Sequence, residues 1–102
     1  MSQDSEEEKI KVAGDSRVIL EPEMSIQKVA NLHERLMASL EQNDNIEIDA
    51  TEVKSIDTAT LQLFVVFKQE VVKLHKQVEF LASERFIDSA KLLDVAEILE
   101  VA

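Results

Sequence analysis

The chain has 102 residues, 45% of them hydrophobic, which fits one domain able to bury roughly 60–70% of the surface of its unfolded chain. It contains no cysteine, so disulfides, thiol catalysis and thiolate metal sites are excluded. Its formal net charge of -10, from 21 acidic and 11 basic residues with neither Trp nor Tyr, argues against nucleic acid, whose binders need clustered cations, and against an anionic membrane surface.

Residues 1–8 carry Asp4, Glu6, Glu7 and Glu8 and read as an acidic flexible tail, with residues 9–102 forming a single domain. Ile10 and Val12 alternate with Lys9 and Lys11, the period of a half-buried strand. Gly14-Asp15-Ser16 gives a turn signal, and Val18 and Leu20 then predict the second arm of a hairpin over 9–20 that Pro22 ends. Ser25 is placed to cap a first helix running to about Gln42, with Ile26, Val29, Ala30, Leu36, Met37 and Leu40 on one face. Asn43-Asp44-Asn45 stops that helix, and Ile46, Ile48 and Ala50 alternate with Glu47 and Asp49 as a third strand.

A connection containing Val53 and Ile56 leads to Asp57, from which a helical pattern runs to His75 with Gln62, Gln69 and Lys73 as its polar stripe and Val66 among them. Val78, Phe80 and Leu81 predict a fourth strand. Ser83 caps a helix from about Glu84 to Leu93, with Phe86, Ala90 and Leu93 on one side. Residues 96–101 are a short apolar tail, a last strand or a docked helix. Strands alternating with helices predict an α/β fold, a small mixed sheet of four to five strands covered by helices.

Sites of catalysis are not evident in this pattern. His33, expected on the apolar face of the first helix, and His75, near the end of the second, have no partner at metal-ligand spacing. A single glycine rules out a Gly-rich phosphate loop. The expectation is a non-enzymatic protein with no metal and no cofactor. The acidic start lacks the basic and apolar stretches of a secretory signal, and the longest apolar run, Leu63 to Phe67, is far short of a membrane span. A cytoplasmic location without membrane insertion is therefore expected.

The segment from Ile46 to Leu61 stands apart. A strand carries Asp49 near its end, a short loop follows, and Asp57 opens a helix with Thr58, Ala59 and Thr60 in its first turn. On residue chemistry alone, Asp57 and Thr58 make an ordinary helix cap. The segment also resembles the signature of the STAS family, the domain shared by sulfate transporters and anti-sigma factor antagonists. Asp49, Val53, Asp57, Thr58, Ala59 and Leu61 match that signature in register, and the element order resembles the family from about Ile10 to Leu99.

The resemblance implies a STAS fold and a partner switch: an anti-sigma factor or related serine kinase binds the unmodified protein, and phosphorylation of Thr58 releases it. It makes Thr58 the phosphoacceptor and Asp49 and Asp57 its supporting motif residues, and the expected partner-binding surface is Ala59, Thr60 and Gln62, joined by Val66, an apolar residue on the polar stripe about two turns from Thr58 on the same helix. Thr60 replaces the family's glycine, predicting a stiffer and bulkier helix start, and His75-Lys76 stands where a glycine is common before the fourth strand.

The alternative is a constitutive STAS regulatory subunit that binds the ATPase of a lipid-trafficking transporter, or a chemotaxis or histidine-kinase system, without phosphorylation. A phosphoryl-accepting receiver domain using Asp49 or Asp57 is disfavoured, because no acidic pair ends the first strand. A sulfate-transporter tail is disfavoured because no membrane span precedes the domain.

Overall fold

The computed structural model describes residues 16–101. The expected acidic tail, the strand at Ile10–Val12 and most of the hairpin turn lie outside the described residues. Five strands and four helices follow: β1 (Arg17–Ile19), β2 (Glu23–Met24), α1 (Val29–Gln42), β3 (Asn45–Ala50), β4 (Ser55–Ile56), α2 (Thr58–Lys73), β5 (Gln77–Ala82), α3 (Glu84–Leu92) and α4 (Ala96–Leu99). A 3-10 turn, Ile26–Lys28, leads into α1. The architecture is α/β, as expected, and the terminal apolar segment is a helix.

All pairings among the described residues are parallel. β1, β3 and β5 form one sheet in that order, and β2 pairs with β4 as a separate two-residue ribbon. Successive side chains point to opposite faces of a strand. In register, Val18 lies beside Ile48 and Ile48 beside Phe80, while Ile46 lies beside Val78, and all five are buried. The opposite face carries Arg17 beside Glu47 and Glu47 beside Glu79, so it is charged.

The helices close the apolar face. α2 buries Thr60, Leu61, Phe64, Phe67 and Val71, whose spacing of three and four keeps the larger members on one side. The Phe64 ring meets Phe80 edge-on at 5.4 Å and Phe86 at 6.1 Å, so three rings join α2, β5 and α3. Such pairs stabilise beyond simple area burial, by about 0.5–1.5 kcal/mol each. Ser83 caps α3 as expected: its hydroxyl accepts from the Phe86 amide and donates to the Val53 carbonyl at 2.7 Å.

The buried face of α1 differs from the expected one. It consists of Leu32, Leu36, Ser39 and Leu40, whereas Ile26 and Ala30 are exposed and Met37 is half-buried. The tighter winding of the 3-10 turn shifts the phase of Ile26 relative to the helix proper, and Ala30 lies outside the arc that Leu32, Leu36, Ser39 and Leu40 define at about 100° per residue. His33 is exposed as well, and not packed into the core.

Helices α2, α3 and α4 each end on a non-glycine residue in the left-handed region: His75 (φ 59), Asp94 (φ 62) and Glu100 (φ 62). Each turn is closed by paired bonds, as in His75 N–H to the Val72 carbonyl and Lys76 N–H to the Val71 carbonyl, the six-to-one and five-to-two pattern of a Schellman motif. Lys76 also reaches the Leu40 carbonyl at the end of α1. A side chain with a Cβ is disfavoured in this region by about 1–2 kcal/mol. His75→Gly is therefore expected to raise stability by about 1 kcal/mol, read as a higher urea midpoint with an unchanged slope.

Candidate functional site

Two segments that lead into helices are zipped together at one end of the fold. β2 pairs with β4 through Glu23 beside Ser55 and Met24 beside Ile56. The Pro22 carbonyl accepts from the Lys54 and Ser55 amides, and the Asp57 amide donates to the Met24 carbonyl. The ribbon thus sets Ser25–Ile26, ahead of α1, next to Asp57–Thr58, at the start of α2.

The Asp57 carboxylate serves both starts. Its Oδ1 accepts from the Thr60 amide at 3.0 Å and from the Thr60 hydroxyl at 2.7 Å. Its Oδ2 accepts from the Ile26 amide at 2.6 Å, across 31 positions of chain. Helix starts leave backbone N–H groups without intrahelical partners, and here one carboxylate satisfies one such group from each of two segments. Ser25, expected to cap the first helix, makes no side-chain cap bond. Asp57 takes that place. The Thr60 hydroxyl, followed by the Thr60 and Ile26 amides, holds the Asp57 carboxyl below its ordinary range despite partial burial.

The other expected residues sort by depth. Thr58 is exposed in the first turn of α2, Ala59 is partly buried, and Gln62 and Val66 are exposed further along the helix. Thr58, Gln62 and Val66 recur every four residues and share a face. Thr60, expected on the contact surface and expected to add bulk there, is fully buried. Its side chain turns inward to Asp57, so it leaves no surface for a partner. Its hydroxyl ties the first turn of α2 to Asp57 and adds no bulk to the surface.

Asp49 stands apart from this group. Its Oδ1 accepts from the Thr51 amide and hydroxyl at 3.0 and 2.6 Å, and its Oδ2 from the Arg17 guanidinium at 2.7 Å. These bonds tie the end of β3 to β1 and to the following turn. The Thr51 hydroxyl, then the Arg17 guanidinium and the Thr51 amide, hold the Asp49 carboxyl down at about 2. The Ile26 amide was not legible as a member of the site, because Ser25 offers the local cap signal and Asp57 is far away in sequence.

Losing a side-chain cap typically destabilises by about 0.5–2 kcal/mol. Asp57→Ala removes two caps at once and is expected to fall at the upper end, about 2 kcal/mol, with faster hydrogen exchange at the Ile26 and Thr60 amides. Asp49 gives a pH signature. Its folded form favours the ionised carboxyl, so the stabilisation is complete above the ordinary value of 3.8 and is lost as pH falls towards about 2. Between about pH 5 and about pH 2 the wild type should lose more stability than Asp49→Asn, as compared by urea midpoints.

Among the described residues no group of three or more His, Asp or Glu side chains is arranged to hold a metal, and no helix is long and apolar enough to cross a membrane. No curated protein and no solved structure matches the chain. The family model described as Mlab, STAS domain matches residues 3–101, nearly the whole length. A match over that much of the chain places it in the STAS domain family, a family of regulatory, anti-sigma factor antagonist-like proteins.

Proposed function

We propose that this chain is a non-enzymatic regulatory module that binds a protein partner in the cytoplasm through the start of α2, and that a phosphate on Thr58 ends the binding. The observation that carries this reading is the contrast between neighbours: Thr58 is exposed, while Asp57 beside it has both carboxylate oxygens engaged. Asp57 is thereby a fixed support and Thr58 the accessible hydroxyl.

Charge supplies the switch. A phosphate adds about −1.5 to −2 charges, close to a carboxylate that is already ionised. At a free surface the positive end of the helix dipole and solvent offset this charge, so the fold tolerates it. Inside a closed interface the same charge loses its water, which costs several kcal/mol unless it is paired. The phosphate therefore acts on the complex and leaves the free chain folded. Partners of the class of anti-sigma factors and serine kinases fit this logic.

The test uses the protein that the tagged chain retains from its own host, identified by mass and then purified. Thr58→Glu is expected to weaken its binding at least about tenfold, and Thr58→Ala to preserve it. Undiminished binding by Thr58→Glu would sink the switch. Intact mass of the chain from its host separates the remaining readings. A phosphorylated fraction supports the switch, whereas a wholly unmodified chain bound to a transporter ATPase supports a constitutive subunit that uses Thr58 only as a contact.

A further inference from the structure

Helices α1 and α2 lie against each other from the starts that Asp57 joins. Between them opens a groove of about 220 Å³, lined by His33, Met37, Leu63, Val66, Phe67 and Glu70. Pockets for drug-sized ligands run to roughly 300–1,000 Å³. This groove is smaller and open, with room for one large side chain.

Three observations say what fills it. Val66 is 60% exposed, and it is the apolar member of the stripe Thr58, Gln62, Val66 that reaches the groove. The lining is apolar at Met37, Leu63, Val66 and Phe67, so burial of an apolar side chain is its source of affinity. Glu70 stands at the same groove, and the chain as a whole carries a net charge of -10. Two copies of so acidic a chain repel, whereas a cationic partner is drawn in.

We infer that the α1–α2 groove is the apolar half of the docking surface, and that it receives one large apolar side chain from a basic amphipathic helix of the partner protein. The mode is helix-in-groove recognition, in which apolar anchors enter a seam and flanking charges set the orientation. Val66 is the hinge of the footprint, touching the polar stripe on one side and the groove on the other. The inference rests on the reading of Thr58 as part of a partner surface, and adds to it the chemistry of the partner.

The chain contains its own control. Val72 is also in α2, is 59% exposed, and lies six positions beyond Val66, which turns it off the stripe. Calorimetric titrations of the purified partner would compare Val66→Ser, Val72→Ser and Thr58→Glu in the full-length chain. Expected are a loss of at least about tenfold for Val66→Ser and no change for Val72→Ser, with affinity falling as salt is raised.

Equal losses for Val66→Ser and Val72→Ser, or no loss for Val66→Ser, would overturn the groove as a docking site. Binding insensitive to salt would overturn the basic helix as its occupant. Sedimentation of the wild type alone tests the other occupant: a dimer that Val66→Ser dissociates would assign the groove to a second copy and refute the proposal. A loss with Val66→Ser but none with Thr58→Glu leaves the groove standing and removes the switch. The reverse pattern removes the groove alone.

Discussion

One carboxylate, that of Asp57, accepts hydrogen bonds from backbone groups 31 and three positions away, and the geometry around Thr58 follows from it. The residue type is tightly constrained. An ionised Asp offers two acceptor oxygens on a short stem, whereas Asn would present one acceptor and one donor and could receive only one of the two starts. Thr60 completes the arrangement from inside, its buried hydroxyl sharing Oδ1 with its own amide. With both oxygens occupied, Asp57 holds the first turn of α2 in place and leaves Thr58 as the outward-facing group.

That carboxylate is itself held by the core. Val53 is buried in the loop behind β4, and its carbonyl accepts from the Ser83 hydroxyl, which also caps α3. Phe86, three residues on, is fully buried against Phe64 and Phe80. The aromatic cluster therefore supports the loop through α3, and the loop supports Asp57. Asp49 contributes on the other face of the sheet, where its bonds to Arg17 and Thr51 fix the end of β3 from which the loop departs. The two carboxylates thus act at different places: Asp57 joins two helix starts beside Thr58, and Asp49 ties the end of β3 to β1 and to the turn that follows. Membership of the STAS domain family sets aside a receiver domain acting through either of them.

Periodicity and capping chemistry made most of the elements legible. The alternation in Ile46–Ala50 and the apolar spacing in α2 mark β3 and that helix directly, and Ser83 caps where a local signal says it should. The parts that were not legible depend on distance or on phase. β2 and β4 have two residues each, too few to display an alternation. Ser25 carries the stronger local signal for a cap, yet a carboxylate from another part of the chain displaces it. In α1 the 3-10 turn takes Ile26 off the expected face, and Ala30 and His33 fall outside the arc that Leu32, Leu36, Ser39 and Leu40 bury. Thr60 was expected at the surface because the resemblance puts it in the family's glycine slot, whereas its hydroxyl turns inward to the Asp57 carboxylate. Among the candidate site residues, Gln62 and Val66 were readable on the polar stripe with Gln69 and Lys73, because all four lie on a single helix. The groove beside them needed a second helix to exist.

The bond between Asp57 and the Ile26 amide has a consequence for how genetic data on this protein should be read. It joins positions 31 residues apart, with α1, β3 and β4 between them, so the paired helix starts exist only where those elements have come together. A partner that recognises them recognises a finished molecule. Substitutions far from the surface, in the aromatic cluster or at the end of β3, will therefore score as defects in complex formation in any assay that counts complexes. Distinguishing contact residues from such remote ones requires the fraction of folded chain to be measured in the same experiment.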